Sequence, residues 1–386
     1  MKTLKILLVG VGGYGSNYIK ELQERRIAEV KIEGICDIQE HLEDEYPIIM
    51  KQKIPIYKNL ESFYNNHSAD LAIISTPIHL HDAQITTCIQ YGSNVLCEKP
   101  ICSTLEGTQK LMELEKVSGK FIGVGYQLNF SKDVIALKQD ILDGKYGKPI
   151  KMKALHAMRR GSKYYARNNW AGRINVNSVS VNDSPFNNAC AHQYQNMTFL
   201  LGNNMKNAMD IKSVEAQVFR ANRNVENFDT VALCAYTKNN VPIYYYTSHA
   251  IQSQKLGPIS EYQFENGTIY YGKDFGNGPV MEYVGIMKDG EIINYGRIAK
   301  GERLQKMYDA IACVHNKQVP NCTIRCAIPH LQTVVELSHF PIRNVDSKWL
   351  EFYSEDDEQF VKISMLEEIF LECYQNEHLI TISDFL

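Results

Sequence analysis

The segment Gly10-Val11-Gly12-Gly13-Tyr14-Gly15 sets three glycines at GxGxxG spacing directly behind the apolar run Leu4–Val9. Chemistry at such a loop is phosphate binding. Gly10 permits a tight turn, Gly12 lets backbone approach a pyrophosphate, and Gly15 lets a helix pack closely on a strand. Gly13 and Tyr14 lie in the same loop. The first helical N–H groups and the helix dipole would face the phosphates. Alone, the loop also fits a purely structural glycine turn. Asp37 ends a second apolar run, roughly twenty residues on, where a carboxylate accepts from ribose hydroxyls. The segment after it carries Glu40, Glu43, Asp44 and Glu45 but no Lys or Arg. Like-charge repulsion there disfavours a 2′-phosphate, so the expected cofactor is NAD rather than NADP.

These residues need strands to hold them. Apolar runs recur at Leu4–Val9, Val30–Cys36, Leu71–Ser75, Asn94–Cys97 and Phe121–Val124, with helical spacing between them at Tyr14–Arg25, Asp82–Tyr91 and Leu105–Val117. Strands alternating with helices, and apolar on both faces, predict a parallel sheet covered on each side. After about residue 126 the pattern changes. A helix is expected over Asp133–Leu142, then strands at Ile150–Met158, Ser213–Arg220, Asp229–Tyr236, Pro242–Ser248, Glu261–Phe264 and Thr268–Tyr271. Asn239-Asn240 and Asn266-Gly267 serve as turn signals. Further helices are expected at Glu302–His315, Ala327–His339 and near Met365–Gln375, and a final strand after the last. The predicted fold class is α/β: an N-terminal Rossmann parallel sheet (1–125), plus a C-terminal α+β domain (126–386) with a large, mostly antiparallel open sheet.

The chain has 386 residues, too many for one ordinary core, with 44% hydrophobic and 22% charged residues. A net charge of -3 gives no general attraction to nucleic acid or anionic lipid. No apolar run reaches the roughly 18 residues of a membrane span. Ile6–Val9 reads as a buried strand rather than a signal peptide, and the ten scattered cysteines as reduced thiols. The expected location is the cytoplasm. Cys97/Cys102 and Cys322/Cys326 lack a second ligand pair at zinc spacing, so no metal is expected.

Two further motifs accompany the glycine loop: Ser75-Thr76-Pro77-Ile78-His79-Leu80-His81 and Glu98-Lys99-Pro100. Together with Gly125-Tyr126-Gln127 they resemble the glucose–fructose oxidoreductase / inositol dehydrogenase / rhizopine-catabolism (Gfo/Idh/MocA) family. The resemblance implies that Thr76, Pro77, His81, Glu98 and Gln127 contact the cofactor, and that Lys99 reaches the oxygen of the reacting carbon. A lysine at the C-terminal end of a strand also suits the ligand edge of an open α/β sheet. Ile78 stands where the family often has Asn. Asp183–His192 resembles the family's substrate helix. Asn188 and His192, at i and i+4, would share one helix face, but Asn188 and Gln195 replace family acids. Trp170 resembles a family loop near the cofactor, and Tyr126 is expected at the substrate. Relatives commonly pair through the open sheet face, which implies a homodimer or homotetramer.

The resemblance implies an NAD-dependent dehydrogenase of a sugar, glycoside or polyol. Lys99 would stabilise charge on the oxygen and His192 would take the hydroxyl proton. Two alternatives stand beside it. One is an NAD-retaining glycosidase or lyase that oxidises its sugar transiently. The other is a non-catalytic dinucleotide-binding protein.

Overall fold

A computed structural model describes residues 3–25, 27, 29–297 and 303–381. The chain divides into two compact units, Met1–Phe130 with Ala299–Ala327, and Ser131–Ile298 with Ile328–Leu386. The sequence reading divides the chain once, after residue 125. The structure closes the first stretch at Phe130 and returns a later segment to it.

In the first unit, strands β1 (Leu4–Val9), β2 (Val30–Cys36), β3 (Ile56–Tyr57), β4 (Leu71–Ile74), β5 (Asn94–Cys97) and β6 (Ile122–Val124) form a six-stranded sheet. Its order is β3-β2-β1-β4-β5-β6, parallel throughout. This is the doubly wound arrangement, whose order reverses beside β1. Helices α1 (Ser16–Glu24), α2 (Leu42–Glu45), α3 (Pro47–Gln52), α4 (Leu60–Tyr64), α5 (His81–Gln90) and α6 (Leu105–Ser118) supply the crossovers. Thr104 caps α6 by accepting from the Gly107 N–H, and Gly119 closes it at φ 67.

The second unit opens with α7 (Lys132–Leu142), β7 (Pro149–Met158) and α8 (Ser162–Ala166). A short hairpin follows, β8 (Asn175–Val176) with β9 (Val179–Ser180), then α9 (Ala191–Leu200). Strands β10 (Ile211–Arg220), β11 (Thr230–Thr237), β12 (Pro242–Ser248), β13 (Lys255–Phe264) and β14 (Gly267–Tyr271) come next. After them lie the pair β15 (Lys273–Asp274) and β16 (Pro279–Val280), then β17 (Tyr283–Met287) and β18 (Ile292–Gly296). The large sheet runs β18-β17-β14-β13-β7-β12-β11-β10-β19, where β19 is Arg343–Asn344. It is antiparallel except at β7/β12 and β10/β19.

Helix α10 (Gln305–Asn316) returns to the first unit. Its Met307, Ala310, Ile311 and Cys313, with Leu304 before it, join the core made by Ile6, Leu8, Ile73 and Leu96. Each such side chain contributes about 1.5–3 kcal/mol when fully buried, which explains the recruitment of a distant segment. Glu302, the expected start of this helix, lies outside the described residues. Helix α11 (Ile324–Leu337) carries Pro329 inside it.

The last described residues form the hairpin β20 (Leu350–Glu355) and β21 (Glu358–Ile363), then α12 (Leu366–Asn376). The acidic run Glu355–Glu358 is the hairpin turn, with Asp356 and Asp357 both at positive φ (50 and 57), the twist a two-residue hairpin favours. No strand follows α12 through Thr381, and residues 382–386 lie outside the description. Val361, Ile363, Leu366, Phe370 and Cys373 pack on Leu155, Ala157, Ala232 and Tyr246. One face of the large sheet, expected to be open, is therefore covered at β7, β11 and β12 by the chain's own C-terminal segment. Tyr246 donates to the carbonyls of Cys373 and His378 (both 2.9 Å). Tyr245 points to the opposite face and donates to the Cys190 carbonyl (2.5 Å), where α9 packs.

Candidate functional site

In the first unit the three glycines divide by what surrounds them. A Cβ on Gly15 would meet the Gly10 carbonyl oxygen at 2.1 Å, and one on Gly10 (φ +78) would meet Thr76 Cγ2 at 2.9 Å. Both are glycine because the protein itself leaves no space. At Gly12 the nearest protein atom would be Gln39 Oε1 at 3.5 Å, and at Gly13 nothing lies within 4 Å. Bare backbone at Gly12 is thus not required by packing, and space remains there for a ligand. Residues Gly13–Gly15 form a 3₁₀ turn leading into α1, so amides of the loop and the first helical turn gather at one end. This arrangement fits a dinucleotide pyrophosphate.

Asp37, just past β2, accepts from the Val11 N–H (2.7 Å) and the Gln39 N–H (2.8 Å). Its carboxylate therefore fastens the glycine loop to the end of β2. A lysine from beyond this segment bonds the backbone that follows Asp37. Lys58, one residue beyond β3, donates to the carbonyls of Ile38 and Gln39 (3.0 and 3.1 Å).

At the end of β4, Thr76 donates to Gln84 (2.5 Å). His81 is 1% exposed, with Nδ1 2.8 Å from the Pro100 carbonyl and Nε2 2.9 Å from the Thr76 carbonyl. It ties the loop after β4 to the one after β5, and burial lowers its pKa. Pro77 precedes a single 3₁₀ turn whose Ile78 is buried at 5%, so the residue standing in place of the family's Asn is a packing residue.

Glu98 and Lys99 follow β5. Glu98 Oε1 accepts from the Tyr18 hydroxyl (2.6 Å) and from the Lys306 ammonium (2.5 Å). Lys306 is 1% exposed, also donates to the Gly125 carbonyl (3.1 Å), and lies 4.6 Å from the Tyr14 ring centre. Burial alone would lower its pKa, but Glu98 and Tyr14 outweigh that and raise it, so the ammonium stays charged. The lysine is separated from Glu98 by 208 positions, so no local pattern in the sequence announces it. The backbone N–H of Lys99 faces Glu98 Oε2 (3.4 Å). A Cβ on Gly125 would meet that oxygen at 2.9 Å. Tyr126 is buried at 1%, and burial raises its phenol pKa well above the usual value. Gln127 opens the next 3₁₀ turn.

In the second unit, α9 begins at Ala191, so His192 sits in its first turn and Asn188 lies in the turn before it. The two do not share a continuous helix. The side chain of Asn187 donates to the carbonyls of Val181 and Asn182 (3.2 and 3.1 Å), which favours a turn over a helix there. Asn188 Nδ2 donates to Asp183 Oδ1 (2.8 Å). Asp183, 1% exposed, also accepts from the Gly172 N–H (2.7 Å). A carboxylate is therefore present beside Asn188, five positions upstream. Gln195 is fully buried. Trp170 lies 5.2 Å from the Arg167 guanidinium.

The loop after β7 adds a cluster that the sequence did not single out. The guanidinium carbons of Arg160 and Arg167 lie 4.7 and 3.6 Å from the Tyr164 ring centre. Tyr165 bonds His249 Nδ1 (2.9 Å), and the Arg160 N–H bonds the His249 carbonyl. A separate small cavity in this unit, lined by Ile174, Phe186, Phe228, Val334, Leu337 and Phe340 among others, contains none of the expected site residues.

Residues 4–126 match the model of the oxidoreductase family with NAD-binding Rossmann fold, Gfo/Idh/MocA. This segment belongs to the Gfo/Idh/MocA family. Among curated relatives, an inositol 2-dehydrogenase/D-chiro-inositol 3-dehydrogenase of Shouchella clausii is 23% identical over 42% of this chain and 47% of its own length. A 2,7-anhydro-N-acetylneuraminate hydratase of Mediterraneibacter gnavus is 26% identical over 42% of this chain and 41% of its own. The chain thus spans about half the length of these curated relatives. The fold likeness extends further. The WlbA dehydrogenase from Bordetella pertussis, solved with NADH and UDP-GlcNAcA, superposes with a TM-score of 0.68 at 19% identity, covering 87% of this chain and 96% of that one. Among the described residues no helix is long and apolar enough to cross a membrane.

Proposed function

We propose that the chain is an NAD-dependent dehydrogenase acting on a secondary alcohol of a sugar, glycoside or polyol. The observation that carries this reading is the glycine loop. It leaves ligand space at Gly12 and Gly13 while Gly10 and Gly15 are filled by the protein, and the Glu98-Lys99 pair follows β5 at the same C-terminal edge of the parallel sheet. Bound NAD would supply the hydride acceptor. Gly12 and Gly13 would offer backbone amides to the pyrophosphate, and Asp37 would face the adenosine ribose. Thr76, Pro77, Glu98, Gln127 and Trp170 are assigned to the rest of the cofactor. His81 holds the loop that carries Thr76, since both of its ring nitrogens already face carbonyls. NAD is favoured over NADP because Asp37 would oppose a 2′-phosphate.

Lys99 is assigned to stabilise negative charge on the substrate oxygen as the C–H electron pair departs. His192 is assigned to take the hydroxyl proton, so that a ketone forms and one proton is left on imidazole. Asn188, anchored by Asp183, and Tyr126 would position the substrate. The inositol dehydrogenase and sugar-processing relatives point to the same substrate classes, and the neuraminate relative points to an acidic sugar. A cytoplasmic homodimer or homotetramer completes the proposal. With α12 covering β7 and β12, pairing on that sheet face would use the strands beyond it, where Ile292 is 68% exposed.

The reading is tested with Lys99→Met and His192→Ala. Each should lower turnover by about 10²-fold or more, while calorimetry shows NAD affinity within about twofold of the parent. Losses of cofactor binding equal to the losses of turnover would refute the assigned roles.

A further inference from the structure

The loop after β7 concentrates positive charge. Its neighbours Arg159 and Lys163 are tied to the C-terminal hairpin, Arg159 to Glu355 (2.6 Å) and Lys163 to the Asp356 carbonyl (2.7 Å). Arg160 and Arg167 are not. Among the described residues neither has a carboxylate partner, and the buried Nε of Arg160 has no hydrogen-bond acceptor. Both guanidinium groups instead stack on the one ring of Tyr164.

Two histidines border them. His156, on β7, is 9% exposed, and among the described residues neither of its ring nitrogens has a partner. His249 is 2% exposed with Nε2 likewise unpartnered. Buried polar atoms in folded proteins are nearly always satisfied, and those that are not call for a ligand, an ion or water. Burial, reinforced by the nearby cations, holds both rings neutral, with His156 lowered to about 3. Neutral imidazoles can donate to an anion without adding charge.

The charged groups acting on this cluster include Arg160, Arg167 and Lys255 on the basic side and Asp183 and Asp229 on the acidic side, with Glu358 held by the backbone N–H groups of Lys163 and Tyr164. The guanidinium fork matches the two oxygens of a carboxylate. The cluster also adjoins the substrate residues, because Asp183, which acts on Tyr164 and Tyr165, holds Asn188.

We propose that Arg160, with His156 and His249, forms a subsite for the carboxylate of an acidic sugar such as a uronate or ulosonate. The inference rests on the dehydrogenase reading only in taking the bound molecule to be a sugar. Arg160 binds the carboxylate, Arg167, also stacked on Tyr164, adds charge, and the imidazoles supply hydrogen bonds.

The test is calorimetric titration of the full chain, in the presence of NADH, with D-glucuronate, D-galacturonate and N-acetylneuraminate. D-glucose, D-galactose and N-acetylmannosamine serve as neutral partners, and glucose 6-phosphate as the phosphate arm. At least one acid should bind about 10–100-fold more tightly than its neutral counterpart, the worth of a charge-assisted pair. Arg160→Gln should erase that preference, Arg160→Lys should keep part of it, and His156→Gln should weaken it. If Arg160→Gln does not fold, the parent's preference and Arg167→Gln decide the matter. Equal binding of acids and neutral sugars, a preference that survives Arg160→Gln, or tighter binding of the phosphate would each overturn the proposal. Arg160-dependent binding of an acid without any NADH formation from it would sink the dehydrogenase reading and leave the subsite standing. Oxidation of neutral polyols with no preference for acids would do the reverse.

Discussion

Lys306→Met removes the ammonium from beside Glu98 and keeps most of the apolar stem. In the parent that ammonium is 1% exposed and bonds both Glu98 and the Gly125 carbonyl. Its loss leaves the Glu98 carboxylate with Tyr18 as its side-chain partner. Removing one member of a buried ion pair costs about 3–5 kcal/mol. The Glu98 side chain is 12% exposed, so water reaches it and the lower figure applies, about 3 kcal/mol. For a unit of this size that is a fall in Tm of roughly 6–12 °C. Glu98→Gln should cost a similar amount, because it leaves the ammonium buried. Replacing both members by neutral side chains restores the balance, so the double variant should lose far less than the sum of the singles. The assay is scanning calorimetry of the three variants beside the parent. Additive losses, or a Lys306→Met protein as stable as the parent, would refute the reasoning.

Other consequences concern the glycine loop and the second unit. Gly12→Ala should fold with an unchanged Tm, since its Cβ meets no protein atom within 3.4 Å, yet bind NADH at least about tenfold more weakly; unchanged fluorescence titration would contradict this. Asn188→Asp sets a second carboxyl against Asp183, so one of them keeps its proton and its folded pKa rises. Stability of that variant is present below the unfolded value near 4 and declines as pH rises, by up to about 1.4 kcal/mol per pH unit; a Tm difference from the parent that is the same at low and neutral pH would count against the Asp183 contact. The lowered pKa of His156 means that only the unfolded chain takes up its proton between about 6.5 and about 3. Stability should therefore fall as pH drops through that window, by up to about 1.4 kcal/mol per unit from this group, and His156→Gln should flatten the slope in urea melts.

The parts of this chain that were legible in the sequence are those set by near neighbours. Strands β1, β4 and β5 lie on mainly apolar runs, β2 on the apolar end Gly34–Cys36 of its run, and GxGxxG needs only six consecutive residues. What escaped was set from a distance or by turns. Lys306 reaches Glu98 across 208 positions, with nothing local to announce it. Lys58 reaches the carbonyls of Ile38 and Gln39, next to Asp37 in the chain, from beyond a two-residue strand too short to show a period. The i, i+4 argument for Asn188 and His192 assumed an unbroken helix, whereas side-chain bonds from Asn187 hold a turn until Ala191. The C-terminal cover was not legible because its apolar residues make sense only against the sheet face they fill.

The most direct measurement of the central claim is NADH fluorescence during incubation of the purified chain with NAD and a panel of polyols, aldoses and sugar acids. The account predicts that at least one of them yields NADH in excess of the enzyme, dependent on Lys99. If no sugar yields NADH beyond one equivalent, while a sugar is consumed with its NAD left oxidised, the chain is not a net dehydrogenase.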